Sequence, residues 1–495
     1  MAAAEDYRSQ LPSLTYRNQA FINGKFTPSA SGKTFDCISP IDGKALTKVA
    51  ECDKEDVDRA VKAARAAFDK GVWSGVAPAY RKKIMLKWVS LIEKHKEELA
   101  LLETLDMGKP IANAAGGDLP SAIRCIQWYA ETADKVYDEL APARPDSISM
   151  ITREPIGVVG AVVPWNFPLL MASWKLGPAL ATGNSVILKP AEQSPLTAIR
   201  IAELAAEAGI PAGVLNVLPG FGETAGQAMG RHMDIDMIAF TGSTEVGKYF
   251  LRYSGESNMK HIALETGGKS PNIIFADIPD MDKAAATAAG GIFYNSGQVC
   301  TAASRVIVDE KIKDQFIELV AKHAEKWRPQ DPLDPKTQMG SMVDEGQMDR
   351  VLSYIDIGKK EGAKVAFGGE RARKNTGGYY VEPTIFSEVK NSMRIAQEEI
   401  FGPVLSTISF KDDAEAIQIA NDSIYGLQAN LWTRDVTRAH KVARALKAGT
   451  VNINATDGGD ITAPFGGYKQ SGIGRDKSLH ALEKYQQIKH TYIQL

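Results

Sequence analysis

Five apolar runs between residues 156 and 265 alternate with helical segments, and that alternation constrains the fold more than any other feature. Residues 156–163, 185–188, 214–218, 237–240 and 261–264 are short and bounded by turn residues, which reads as buried strands. Strand, helix and strand in succession close with right-handed crossovers, so the expected fold class is α/β with a parallel sheet covered on both faces. One helix start is well marked: Ser194 can cap free N–H groups, Pro195 has its φ preset for the first helical position, and Gly209 is a stop.

Before this region, Asn23-Gly24 and Asp42-Gly43 suit tight hairpin turns, and helical spacing fills residues 61–68 and 81–105. After Gly268 a second α/β alternation is expected, with strands at 272–275, 306–308 and 451–454 and a helix at 311–327. Residues 148–153 and 488–495 read as strands outside both regions, with edges that could pair with another subunit or stay solvated. At 495 residues the chain is too long for one core.

Composition narrows the function classes. Lysine and arginine total 58 against 60 acidic residues, a net charge of −2, which does not suit a dedicated nucleic-acid binder. No apolar stretch approaches the roughly 20 residues of a membrane helix. Four cysteines in so long a chain do not make a secreted disulfide scaffold, and the start, Met1-Ala2-Ala3-Ala4-Glu5-Asp6, lacks the basic and apolar parts of a signal peptide. A cytoplasmic protein is expected. Nothing in the sequence marks a metal site.

Ligands of a parallel sheet bind beyond the carboxyl ends of its strands. There Phe240-Thr241-Gly242-Ser243-Thr244-Glu245-Val246-Gly247 joins a strand to a helix, so Gly242 could let backbone approach a phosphate at the helix N-terminus; a plain tight turn is an equal alternative. The turn beginning Gly220-Phe221-Gly222 is a weaker signal of the same kind, its last glycine one residue late for the dinucleotide pattern. Lys189 and Glu192 end another strand where a ribose would sit, and a carboxylate there favours NAD over NADP, although a solvated charge pair is the commoner fate.

Cys300 lies in a polar, glycine-containing break and is the best-placed nucleophile of the four cysteines. Glu265 closes a strand, where partial burial would raise its pKa toward the range of a general base. Asn166, between Pro164 and Pro168, could donate to an oxyanion or serve an ordinary turn.

Taken together, Pro164-Trp165-Asn166-Phe167-Pro168, Thr241-Gly242-Ser243-Thr244-Glu245-Val246-Gly247, Leu264-Glu265-Thr266-Gly267-Gly268-Lys269, Gly297-Gln298-Val299-Cys300 and Glu399-Ile400-Phe401-Gly402-Pro403 strongly resemble the aldehyde dehydrogenase superfamily, in the family's order. The similarity runs from about Phe21 to the C-terminus and is nearest to bacterial enzymes that oxidise aminoaldehydes and 4-(γ-glutamylamino)butanal. It implies Cys300 as nucleophile, Glu265 as base, Asn166 with the Cys300 N–H as oxyanion hole, and Lys175 as a proton relay, with a structural salt bridge as its alternative. On the cofactor side it implies Lys189 and Glu192 at the adenosine ribose, Gly242, Ser243 and Gly247 near the pyrophosphate, and Glu399 and Phe401 at the nicotinamide, with Pro164, Trp165 and Gly222 lining the same site. Thr266 in place of the usual leucine, and Val299 and Thr301 beside the cysteine, are mild departures.

The resemblance further implies an NAD-binding domain of residues 1–140 and 156–265, a catalytic domain of 266–475, and an oligomerisation element of 141–155 and 476–495 that exchanges strands in a homotetramer. The implied reaction is NAD-dependent oxidation of a small-molecule aldehyde to an acid through a thioester. Phe167, Met171, Trp174, Tyr294 and Phe465 would line the substrate passage. Asp457, with Asp106 as a possible neighbour, could receive an ammonium group. A broad-specificity aliphatic or aromatic aldehyde dehydrogenase is the alternative; a cysteine hydrolase or acyltransferase and a non-catalytic paralogue are rivals from other classes.

Overall fold

The computed structural model describes residues 7–495; residues 1–6, on which the reading of a missing signal peptide rests, lie outside the described residues. Asn23 and Gly24 take left-handed φ of 53° and 77° and fold Ala20–Ile22 antiparallel onto Lys25–Thr27, the two-residue hairpin that Asn-Gly favours.

That hairpin edges an eight-stranded sheet. Its next strands in space are Leu215–Val217, Ser185–Lys189, Val158–Val162, Met237–Thr241 and His261–Glu265, all parallel, followed by Gly472–Ile473, which runs antiparallel. From Val158–Val162 the chain builds outward first to one side and then to the other. The order of strands therefore reverses at Val158–Val162, which opens a crevice beyond its carboxyl end. Apolar strands fill both faces of the sheet with side chains such as Val159, Val186, Ile187 and Ile238, all fully buried.

A second sheet has seven strands in the order Lys364–Phe367, Thr384–Ser387, Val404–Phe410, Arg305–Asp309, Pro271–Ile274, Gln428–Trp432 and Thr450–Ile453, parallel except for the first pair. Gly472–Ile473 lies late in the sequence yet pairs with Leu264 and Glu265 in the first sheet. The chain thus returns to brace the strand that carries Glu265.

The two strands expected outside these regions pair with each other. Gln486–Gln494 runs antiparallel to Ser147–Pro155 from Gln486 opposite Pro155 to Gln494 opposite Ser147, and Glu139–Ala141 completes a three-stranded sheet. The expected 81–105 helix is two helices, Pro78–Lys94 and Lys96–Met107, joined at His95.

Ser194 does not cap the helix Leu196–Ala208; its hydroxyl donates to the Trp165 carbonyl at 3.2 Å. The cap comes from a distance, because buried Asp106 accepts the Leu196 N–H at 3.1 Å. Gly209 does end the helix, with left-handed φ of 103°. Among the described residues no helix is long and apolar enough to cross a membrane, no cluster of three or more potential ligands could hold a metal ion, and all four cysteines are free.

Candidate active site

Two cavities, about 520 and 380 Å³, open beyond the carboxyl ends of the first sheet's strands and share Cys300, Met171, Trp174 and Phe465 as walls. The thiol stands at their junction, and both chambers carry aromatic and charged side chains on their walls.

The backbone before Cys300 is held in an unusual shape. After the helix Met281–Phe293, the consecutive residues Asn295, Ser296 and Gly297 have φ of 50°, 56° and 71°. Left-handed backbone costs an asparagine or serine about 1–3 kcal/mol each and persists only where neighbours over-determine it. Here the Asn295 amide donates to the Asn166 carbonyl at 3.0 Å, the Ser296 hydroxyl donates to the Gly340 carbonyl at 3.2 Å, and the buried Gln298 side chain accepts from Val343 N–H at 2.9 Å. Position 297 must be glycine, since a Cβ there would lie 2.1 Å from the Gly402 carbonyl oxygen. Burial pushes the Cys300 thiol up to about 12, and the Glu265 and Glu399 carboxylates add to the effect. Burial thus favours the neutral thiol over the thiolate.

Asn166 is buried beside it. Its amide donates one hydrogen to the Gln298 carbonyl at 2.9 Å. An amide nitrogen carries two, so the other remains for an oxygen bound in the cavity. Glu265 ends its strand 4 % exposed, and neither carboxylate oxygen has a partner among the described residues. Burial raises it well above the ordinary carboxylate range, Asp476 pushes it further, and Lys175, Lys484 and Arg475 pull it back. A buried, unpartnered and readily protonated carboxylate at a cavity wall has the properties of a general base.

Lys175 does not line either cavity; it is buried in an ion pair with Asp476, which Lys484 also contacts. Burial alone would raise Asp476, but the two ammonium groups outweigh it and hold it below its usual range. Lys175 therefore touches the site only through its field on Glu265.

The larger cavity is lined by Pro164, Trp165, Gly242, Ser243, Glu399 and Phe401 among others. Ser243 caps the helix Thr244–Gly255 by accepting from Val246 N–H at 3.2 Å, so its hydroxyl oxygen serves the helix and its proton is left to donate. Glu399 accepts from Gly268 N–H at 3.0 Å, and burial pushes its carboxyl up to about 7. Phe401 sits at φ 60° with its ring edge-on to Trp165 at 5.3 Å.

Four expected residues lie off this cavity. Lys189 is buried, donating to the Pro190 carbonyl at 3.0 Å and facing Glu192 at 3.6 Å. Gly247 packs the helix against Thr266, where a Cβ would come within 3.1 Å of the threonine methyl, and Gly222 faces open space.

Conversely, sequence reading missed Gln347, Arg350 and Tyr354, which line the chamber from one face of the helix Glu345–Lys360. Gln347 donates to the Phe401 carbonyl at 2.8 Å, and Arg350 donates to the Glu399 carbonyl at 2.9 Å. Their i, i+3, i+7 spacing was the available signal. A helix N-terminus, close-packed glycines, and a carboxylate with amide and phenol neighbours suit a phosphate, a ribose and a planar amide, which are the parts of a dinucleotide.

All six residues expected at the substrate, Phe167, Met171, Trp174, Tyr294, Asp457 and Phe465, line the smaller cavity. Trp174 meets Phe465 edge-on at 4.9 Å, and Phe167 stacks on Tyr294 at 6.3 Å. Asp106 is not among them, being committed to the helix start at Leu196.

Comparison with known proteins agrees with this geometry. The profile of the aldehyde dehydrogenase family matches residues 26–491. The NADP/NAD-dependent aldehyde dehydrogenase PuuC of Escherichia coli (strain K12) is 53% identical over 484 residues, covering 98% of this chain and 97% of that protein. An indole-3-acetaldehyde dehydrogenase solved with NAD+ superposes with a TM-score of 0.98 at 58% identity, covering 99% of each chain. A gamma-glutamyl-gamma-aminobutyraldehyde dehydrogenase from Burkholderia cenocepacia J2315 gives 0.97 at 56% identity, again over 99% of each. By sequence, fold and the residues gathered around Cys300, this chain belongs to the aldehyde dehydrogenase family.

Proposed function

We propose that the protein oxidises an aldehyde to a carboxylic acid with NAD, using Cys300 as nucleophile. The observation that carries this reading is the position of the Cys300 thiol at the junction of two chambers, one suited to a dinucleotide and one to an organic chain, with Asn166 and Glu265 beside it. Transfer of the Sγ proton to solvent makes the thiolate that adds to the aldehyde carbon, and the carbonyl electron pair moves to oxygen. The free hydrogen of Asn166 and the Cys300 N–H hold that oxyanion. The chemistry that NAD supplies when bound is hydride acceptance. Cys300 then carries the acyl group as a thioester. Glu265 takes a proton from water, which adds to the thioester carbon, and the C–S bond breaks to release the acid.

Gly242, Ser243, Glu399 and Phe401 would hold the cofactor within the chamber; Lys189, Glu192, Gly222 and Gly247 stay in the proposal as its outer support, and Lys175 as a positioning group for Glu265. Glu192 supports NAD over NADP, since a carboxylate beside a ribose repels a 2′-phosphate.

Aminoaldehydes or 4-(γ-glutamylamino)butanal are the proposed substrates, supported by Asp457 on the smaller cavity and by the relative named for a glutamylated aminoaldehyde. The aromatic walls and the indole-3-acetaldehyde relative favour the second reading, a broad aliphatic or aromatic specificity. A cysteine hydrolase is poorly supported, because none of the seven histidines lines either cavity. Retention of Cys300, Glu265 and Asn166 together counts against a non-catalytic paralogue.

The division into residues 1–140 with 156–265, 266–475, and 141–155 with 476–495 stays a proposal, as does a homotetramer. Its support is the outer edge of Gln486–Gln494, which exposes Ile488 and Tyr492. Four free cysteines support a cytoplasmic location.

The test is reduced-nicotinamide absorbance with NAD or NADP and a panel of 3-aminopropanal, 4-(γ-glutamylamino)butanal, hexanal, decanal and indole acetaldehyde. Turnover with NAD and the amino-bearing members is expected. Preference for the others overturns the substrate, and silence across the panel overturns the activity.

A further inference from the structure

Besides Asp118, which is paired with Lys109, the smaller cavity is lined by charge of both signs in Arg124, Asp457, Asp460 and Lys477. Arg124 and Asp460 satisfy each other, with Nε to Oδ1 at 3.1 Å. Lys477 and Asp457 do not. Neither takes part in a hydrogen bond or ion pair among the described residues, and the Lys477 ammonium lies 5.7 Å from the centre of the Trp174 ring, over the aromatic wall.

Backbone geometry holds Lys477 there. Lys477 and Ser478 have left-handed φ of 59° and 50°. The turn is pinned on both sides: Asp476 exchanges two backbone hydrogen bonds of 2.7 Å with Phe465, and Ser478 N–H donates to the Ile461 carbonyl at 2.7 Å. Tyr129 adds a phenol donating to the Ser478 carbonyl at 3.1 Å. Strained backbone and a half-buried cation are both costly, and Asp457 and Asp460 offset the second cost only through their field, from beyond ion-pair distance.

We propose that Lys477 is a specificity-determining residue that receives a carboxylate at the far end of the substrate, while Asp457 receives an ammonium group beside it. The substrate class is an aldehyde whose other end is an α-amino acid head. This rests on the amino-bearing substrate reading above and selects within it, because a simple aminoaldehyde has only the cation that Lys477 repels.

The test compares kcat/KM of the wild type, Lys477→Met and Lys477→Arg for 4-(γ-glutamylamino)butanal, 3-aminopropanal and hexanal. Lys477→Met keeps the apolar stem and is expected to lose at least about tenfold on the glutamyl substrate, through KM, with hexanal held within about twofold; Lys477→Arg restores most of the loss. Equal losses on all three substrates, or an unchanged glutamyl preference in Lys477→Met, overturn the inference alone. A wild type that prefers hexanal to both amino-bearing aldehydes overturns the substrate reading and this inference with it.

Discussion

Phe465 and Asp476 exchange two backbone hydrogen bonds of 2.7 Å each, and that bridge fastens the aromatic wall beside Cys300 to the buried ion cluster acting on Glu265. The smaller chamber and the field on Glu265 are thus set by one stretch of chain. A change at Asp476 is felt at both.

Replacing Asp476 with asparagine leaves Lys175 and Lys484 buried without their carboxylate. Breaking a buried ion pair costs about 3–5 kcal/mol, so a lowered Tm is expected. The sign at the active site is also determined. Asp476 raises the Glu265 pKa, so its removal lowers that value, and the acid limb of the kcat profile moves to lower pH. An unmoved limb with an unchanged Tm would contradict both links.

Cys300→Ala removes the one thiol that lines both chambers among the described residues. Turnover is expected to fall by at least about 10⁴-fold, while NAD affinity stays within about threefold by fluorescence titration. Full activity in this variant refutes covalent catalysis.

Much of this site can be read from the sequence where signals are local. Asn23-Gly24 turns a hairpin because both residues accept positive φ, and the apolar runs around 156–265 become strands because only buried strands need them. Cys300 and Glu265 stand out because each is polar chemistry at the end of an element. What was not legible depends on partners distant in sequence. Asp106 caps a helix that starts 90 residues later, so Ser194 looked like the cap. Gln347, Arg350 and Tyr354 share one helix face, and their place at the site depends on the fold laying that face on a cavity. Pairing of residues 147–155 with 486–494 could not be seen from either strand alone.

Gly297→Ala tests the left-handed turn before Cys300. A side chain at φ 71° costs about 1–3 kcal/mol in backbone strain, and its Cβ would also meet the Gly402 carbonyl. Thermal unfolding should register the loss, and kcat should fall because Cys300 is displaced. A variant with wild-type Tm and kcat would show that the turn does not position the thiol.

Glu399 gives a pH-dependence of stability with a definite sign. Its folded pKa, about 7, lies above the unfolded value of about 4.3, so the protonated form is favoured in the fold. The associated stability is present below the unfolded value and lost as pH rises through about 7. Glu399→Gln removes this titration and keeps an oxygen for Gly268 N–H, so its Tm should fall less than that of the wild type between pH 5 and 8. Parallel curves would contradict a buried, raised carboxyl.

In the proposed reaction Cys300 carries an acyl group which Glu265 then hydrolyses. Glu265→Gln separates the two halves: mixed rapidly with NAD and an aldehyde substrate, it should release a burst of about one reduced nicotinamide per site and then slow by about 10²–10⁴-fold. Intact-mass and peptide analysis of the quenched protein should find the acyl group on Cys300. Steady turnover at the wild-type rate, or a burst that leaves Cys300 unmodified, would contradict the account.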